Sequence, residues 1–221
     1  MASPSSIESA DAADAADSSD FGAGLPRLAR EAIRHHLEHG TPSHSPADEA
    51  LAARGATFVT LTRAGELRGC IGSIRPQRAL ADDLVHNAVA AATGDPRFPP
   101  VTRDELDLLD VEVSLLSAPE FLTFADEPEL LSQLRAGRDG LILFSGCRSA
   151  TFLPQVWTQL PDPQRFLAAL KHKAGLPADR PAPNLMAARF TVRKWVDKAA
   201  DAGSTPDASV PNPVVASRAP S

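Results

Sequence analysis

Twice along this chain an alternating β segment turns at glycine, comes back, stops at proline and gives way to an amphipathic helix. That repetition limits the fold more than any other feature. The first copy runs along Ala56 to Thr62 (ATFVTLT), turns within Arg63 to Glu66, returns along Leu67 to Ile74 and stops at Pro76. Leu80, Leu84, Ala88 and Ala91 then recur at helical spacing up to Gly94. The second copy runs along Leu141 to Phe144, turns at Ser145-Gly146, returns along Arg148 to Leu153 and stops at Pro154. Phe166, Leu167 and Leu170 mark its helix, which ends at Gly175. Hairpins and helices without regular βαβ alternation predict an α+β fold: antiparallel sheet with flanking helices, in two related hairpin-plus-helix halves.

Shorter elements join these units. Leu25, Leu28, Ala29, Ala32, Ile33, His36 and Leu37 predict an opening helix, closed by Gly40 and Pro42. Thr102 with Glu105 predicts a capping box on a short helix ending near Leu109. A strand follows from Val111 to Leu116, with Val111, Val113 and Leu115 on one face and Glu112 and Ser114 on the other. Asp126 with Glu129 opens a helix through Leu134, closed at Gly137, and Ala188 to Val196 form the last strand. The folded domain is thus expected over residues 25–197. The flanks, 1–24 and 198–221, consist largely of Ala, Ser, Asp and Pro; they carry too little apolar surface to offset chain entropy and are expected to be disordered.

Charge and cysteine usage exclude several classes. Of the net −6, the first 24 residues supply −5 and the tail nothing, which leaves the domain near −1. A balanced domain has no general drive toward phosphate backbones or anionic lipid, so no nucleic acid or membrane partner is expected. The longest apolar run, Ala88 to Ala92, is far short of the roughly 20 residues of a membrane span. Two cysteines without a C-x-x-C pair build neither a disulfide lattice nor a zinc ribbon, and the acidic first residues lack the basic start of a leader. The expectation is a reducing cytoplasm. His35 and His39, four apart on a helix, have metal-pair spacing but no third ligand nearby, so no metal is expected. Phosphate-loop and nucleophile-elbow signatures are absent, and no cofactor is expected.

The most pointed chemistry lies in Leu67-Arg68-Gly69-Cys70-Ile71-Gly72. As a regular strand it puts Arg68, Cys70 and Gly72 on one face: a thiol beside a cation that favours the thiolate, and a glycine that leaves room for a ligand. The bland alternative is a cysteine used as a small hydrophobe among glycines that permit close packing. Asp95-Pro96-Arg97-Phe98-Pro99-Pro100 holds an acid and a base on a backbone stiffened by three prolines, so Asp95 and Arg97 are candidate ligand contacts; a rigid connector with Phe98 plugging the core is the alternative. Glu112 meets Arg68 or Arg97 if the strands adjoin. The expectation is a concavity lined by Arg68, Cys70 and Gly72 and reached by the Asp95 to Pro100 loop and Glu112.

LRGCIGSI (67–74), AVAAATGDPRFPP (88–100), VEVSLL (111–116), DGLIL (139–143) and SATFLPQVW (149–157), in this order and spacing, resemble the AMMECR domain family over about residues 25–196. In bacteria and archaea the family is called protein A of the AmmeMemoRadiSam system. The resemblance implies two related halves sharing an antiparallel sheet. By motif it carries over Arg68, Gly69, Gly72, Asp95, Arg97, Phe98, Arg148 and Thr151 as ligand-binding positions, with Cys70 and Glu112 as candidate catalytic residues. It also implies a Memo-type protein, similar to extradiol dioxygenases, and a radical SAM protein as partners. This chain lacks the three-cysteine cluster motif, so it is not itself the radical SAM component. The expected function is an accessory or substrate-handling component of such a system, acting on a small polar molecule. The alternatives are a cysteine-dependent enzyme, with Cys70 as nucleophile and Asp95 or Glu112 as base, and a non-catalytic scaffold. The chain has no tyrosine, whereas relatives commonly carry an aromatic residue near Leu185 to Arg189, and Cys147 stands outside the family pattern.

Overall fold

Both hairpins form, and each gives an interior strand to a sheet of its own. In the first, β1 (Arg54–Arg63) turns through Ala64 and Gly65 into β2 (Glu66–Gly72). Both turn residues have positive φ, as a two-residue turn matched to strand twist requires. In the sequence that follows come β3 (Arg78–Ala79), β4 (Leu109–Leu116), β5 (Glu120–Leu122), β6 (Gly140–Ser145), β7 (Arg148–Phe152), β8 (Met186–Phe190) and β9 (Val192–Asp197). The first sheet has the order β2-β1-β4-β9, with β3 on the end of β1; the second has the order β5-β8-β6-β7. All pairings are antiparallel. This computed structural model describes residues 21–41, 49–182 and 184–199. The expected disorder of the flanks therefore lies outside the described residues, except at its inner ends. There Phe21–Gly24 form a 3-10 turn with Phe21 packed on the core, and the Ala199 N–H donates to Asp110.

The helices are α1 (Leu25–His39), α2 (Glu49–Ala52), α3 (Leu80–Thr93), α4 (Arg103–Leu106), α5 (Glu127–Ser132) and α6 (Pro163–Lys173). Gly40 ends α1 in the left-handed region, and its N–H closes on the His36 carbonyl. Asp126 and Asp162 accept the backbone N–H groups of Glu129 and Arg165, capping α5 and α6. Two helices are shorter than expected. α4 ends at Leu106, because Leu109 already pairs with Arg63 as the first residue of β4. α5 ends at Ser132; Gly137 belongs to a separate turn, held by Asp139 accepting from the Arg135 N–H and guanidinium.

The halves do not share one sheet. The expected last strand breaks at Thr191: β8 lies in the second sheet and β9 in the first, while β4 and β5 make the same passage around Ser117. The two crossing points are bonded to each other, Ser117 N–H to the Thr191 carbonyl and Thr191 N–H to Ser117 Oγ, both at 2.9 Å. Each lobe has its own core, α1 and α3 against the first sheet and α5 and α6 against the second. A smaller apolar seam of Ala56, Leu116, Ile142 and Phe190 joins them. No helix among the described residues is long and apolar enough to cross a membrane.

Candidate functional site

Beside that seam, the outer face of the first sheet and the chain around Leu153 and Gln155 of the second lobe enclose a cleft of about 390 Å³. Strand register decides what enters it. Thr60 pairs with Cys70 on one side and with Glu112 on the other, so Cys70, Thr60 and Glu112 form a row across β2, β1 and β4. The next row is Gly72, Phe58, Ser114 and Lys194. Thr60 Oγ1 lies 3.3 Å from Cys70 Sγ. Glu112 is two strand spacings from the thiol, roughly 10 Å, and its Oε1 accepts from Lys194 Nζ at 2.8 Å.

The stiff loop after α3 supplies the other wall. Asp95 is only 5% exposed, and its carboxylate accepts from the Cys70 N–H at 2.9 Å, the Arg97 N–H at 3.1 Å, and the Arg97 guanidinium at 2.9 and 2.6 Å. The Arg97 guanidinium, helped by the backbone donors and opposed by burial, holds the Asp95 carboxyl well below the usual carboxylate range. Asp95 thereby ties the loop to β2 and aims Arg97 at the cleft, where Arg97 Nη2 also reaches the Cys70 carbonyl at 3.4 Å. An acid so firmly ionised and so fully bonded is a poor general base. Phe98 lies under the Arg97 guanidinium, 5.4 Å from ring centroid to Cζ, and supports it.

Arg68 is not beside the thiol. Leu61 pairs with Gly69 and Thr62 with Leu67, so Arg68 is the extra residue of a β-bulge. The bulge reverses the parity that a regular strand would give, and Leu67 instead of Arg68 lines the cleft with Cys70. Arg68 turns to Glu105, bonding it at 2.7 and 3.0 Å and keeping that carboxyl below its ordinary range. Neither glycine is room for a ligand. A Cβ on Gly69 would stand 2.1 Å from the Ala91 carbonyl of α3, and one on Gly72 would stand 2.2 Å from the Phe58 ring. Arg148 bonds the Gly175 carbonyl, and Thr151 offers its carbonyl to Lys173; both belong to the second lobe and do not line the cleft. His35 and His39 stack at 4.5 Å with their Nδ1 atoms on backbone oxygens, and the described residues contain no group of three or more metal-ligating side chains.

Thr60, Ser114, Gln155 and Lys194 are cleft residues that sequence reasoning missed. Thr60 and Ser114 were legible only as outward positions of alternating strands. Lys194 needed the β4 to β9 register, which no local pattern gives. The result is a half-apolar trough, with Phe58, Leu67, Leu153 and Val192 as its apolar walls and thiol, hydroxyl, guanidinium, ammonium and carboxylate groups spaced along it. Such a mixture suits orientation of a small polar molecule.

The AMMECR1 family model matches residues 26–195. The chain belongs to the AMMECR1 family. Its AMMECR1 domain is 45% identical over 163 residues to a protein of Methanothermobacter thermautotrophicus, covering 72% of this chain and 85% of the relative. It is 41% identical over 175 residues to a protein of Thermofilum pendens, covering 72% and 80%. The crystal structure of the uncharacterized protein PH0010 from Pyrococcus horikoshii superposes with a TM-score of 0.70 at 37% identity, over 81% of this chain and 92% of that one. The α+β architecture described above is therefore an AMMECR1 architecture.

Proposed function

We propose that this AMMECR1 protein binds and presents a small polar molecule in the Cys70 cleft, as a substrate-handling component beside a Memo-type protein and a radical SAM protein. The observation that carries the reading is that the two carboxylates offered as a base for Cys70 are already held, Asp95 by Arg97 and, two strands from the thiol, Glu112 by Lys194. Among the described residues only the Thr60 hydroxyl is within hydrogen-bond distance of Cys70 Sγ. A nucleophilic thiol is activated by a neighbouring base or by a neighbouring cation; the Thr60 hydroxyl is no base, and Arg97, the cation on this side of the cleft, is already bonded to the Asp95 carboxylate. The same groups serve recognition well. The family resemblance supports the partner half of the proposal.

Cysteine labelling tests the reading. Cys147 is exposed in the β6 to β7 turn, whereas Cys70 is half-buried in the cleft. Iodoacetamide followed by mass spectrometry is expected to modify Cys147 first, and a small polar molecule that binds the cleft should slow Cys70 while leaving Cys147 unchanged. Cys70→Ser should then keep most of that binding. Faster labelling of Cys70 than Cys147, with binding or turnover abolished in Cys70→Ser, would overturn the reading in favour of a catalytic thiol. Failure of the tagged chain to retain the Memo-type and radical SAM proteins of its own cell would overturn the partner half.

A further inference from the structure

Where β2 ends at Gly72 and α3 begins, a buried carboxylate keeps one oxygen without a hydrogen bond among the described residues. Asp83, in the first turn of α3, is 1% exposed. Its Oδ2 accepts from the Thr57 N–H at 2.8 Å, the Thr57 hydroxyl at 2.9 Å and Asn87 Nδ2 at 2.9 Å. The fold explains those bonds: β2 ends at Gly72, opposite Phe58, so the next inward N–H on β1 needs an acceptor from elsewhere. The fold does not explain Oδ1. That atom makes no hydrogen bond among the described residues; it has a loose ion pair with Arg78, whose Nη1 stands 3.6 Å away, longer than a hydrogen bond. Oδ1 therefore keeps lone pairs free for a donor that enters the cavity Asp83 lines.

Asp83 lines a cavity of about 300 Å³ together with Gly72, Ser73, Gln77 and two exposed arginines, Arg75 and Arg78, none of which lines the Cys70 cleft. Arg75 makes no ion pair among the described residues; its guanidinium lies over the Phe144 ring of the second lobe, 5.9 Å from the centroid. One small cavity thus offers an acceptor at its floor and two forked donors at its rim. We infer that it is a second binding site, separate from the Cys70 cleft, for a small zwitterion of the α-amino-acid class, whose ammonium bonds Asp83 Oδ1 and whose carboxylate bonds Arg75 and Arg78. The pairing is chemically matched, because a planar guanidinium takes a carboxylate through two parallel bonds and an ammonium directs three donors at oxygen. The volume sits at the small end of ligand cavities, which favours an amino acid over a nucleotide.

The test uses the full chain, a panel of the common L-amino acids, and ethylamine and acetate as half-ligands. Thermal shift and calorimetry are expected to find an amino acid that binds, with each half-ligand at least about tenfold weaker. The double variant Arg75→Ala/Arg78→Ala should still fold, as judged by a cooperative melt and parent-like circular dichroism, but weaken that binding by at least about tenfold. Asp83→Asn should also lose it; if that variant fails to fold, the arginine pair decides. The iodoacetamide rate at Cys70 should not change with the amino acid bound. Absence of binding across the panel, or binding indifferent to the arginine pair, overturns the site. Binding that protects Cys70 also overturns it and assigns the ligand to the cleft, so the two sites fail distinguishably.

Discussion

Asp95 is a nearly buried acid whose neighbours are all donors, and that arrangement makes its contribution depend on pH in a fixed direction. Its folded pKa lies below the unfolded value of about 4, so the stability it adds is complete above that value and is lost as pH falls through the lower folded one. Glu105, bonded by Arg68, shifts in the same direction and adds to the same loss in acid. Asp95→Asn keeps the size of the side chain but turns an amide nitrogen toward donors, leaving Arg97 or the Cys70 N–H without its acceptor. The variant is expected to melt below the parent at neutral pH, and the gap should narrow as pH falls below about 4, where Asp95 of the unfolded parent takes up a proton that the folded protein still refuses. Melting curves from neutral to acid check this. A gap that stays constant would show that shape, not charge, is what Asp95 contributes.

At the scale of elements, the bulge in β2 decides which side chains face the cleft, and Gly69 is the residue that lets the bulged strand lie against α3. Gly69→Ala would drive its Cβ onto the Ala91 carbonyl, which is helix backbone and cannot rotate away. The substitution is expected to cost about 1 to 3 kcal/mol by urea denaturation, whereas Gly24→Ala, which meets nothing within 4 Å, should be nearly neutral. Equal stability in the two variants would mean that β2 is not pinned to α3. The same bulge marks the limit of what the chain discloses. The hairpins, the Gly40 stop and the Asp126 cap were legible because each is written in a few adjacent residues. Cys70, Arg97 and Glu112 could be picked out as chemistry, and they do lie along one cleft. The partner of Arg68 could not be read, since a bulge exists only relative to the neighbouring strand. The break at Thr191 was equally hidden: Ala188 to Val196 alternate acceptably through it, and only pairing shows that the two halves of that stretch belong to different sheets.

For the whole molecule, the way the two sheets are joined governs whether the cleft can open without unfolding. Two strands pass between the lobes at Ser117 and Thr191, and the passage is bonded on both sides. Around it, Phe190 is 2% exposed and fills the space left by Gly140, while Ile142 and Leu116 close the seam. Separating the lobes would expose this seam and break a register that both sheets need, so neither lobe has a folded state independent of the other. The chain carries its own reporters for this claim. Trp157, stacked on Phe166 at 3.7 Å, sits in the second core, and Trp195, packed against the Gly22 turn, sits in the first. With Trp157→Phe only the first lobe fluoresces, and with Trp195→Phe only the second. In urea, fluorescence and far-ultraviolet circular dichroism of each variant are expected to give one coincident transition, as two-state unfolding requires. Phe190→Ala should lower both midpoints together, by about 3 to 5 kcal/mol in stability, because it opens a cavity in the seam and not in either lobe. A fluorescence midpoint that differs from the circular dichroism midpoint within one variant, or a Phe190→Ala loss confined to one tryptophan, would mean that the lobes unfold separately and that the cleft between them is a hinge.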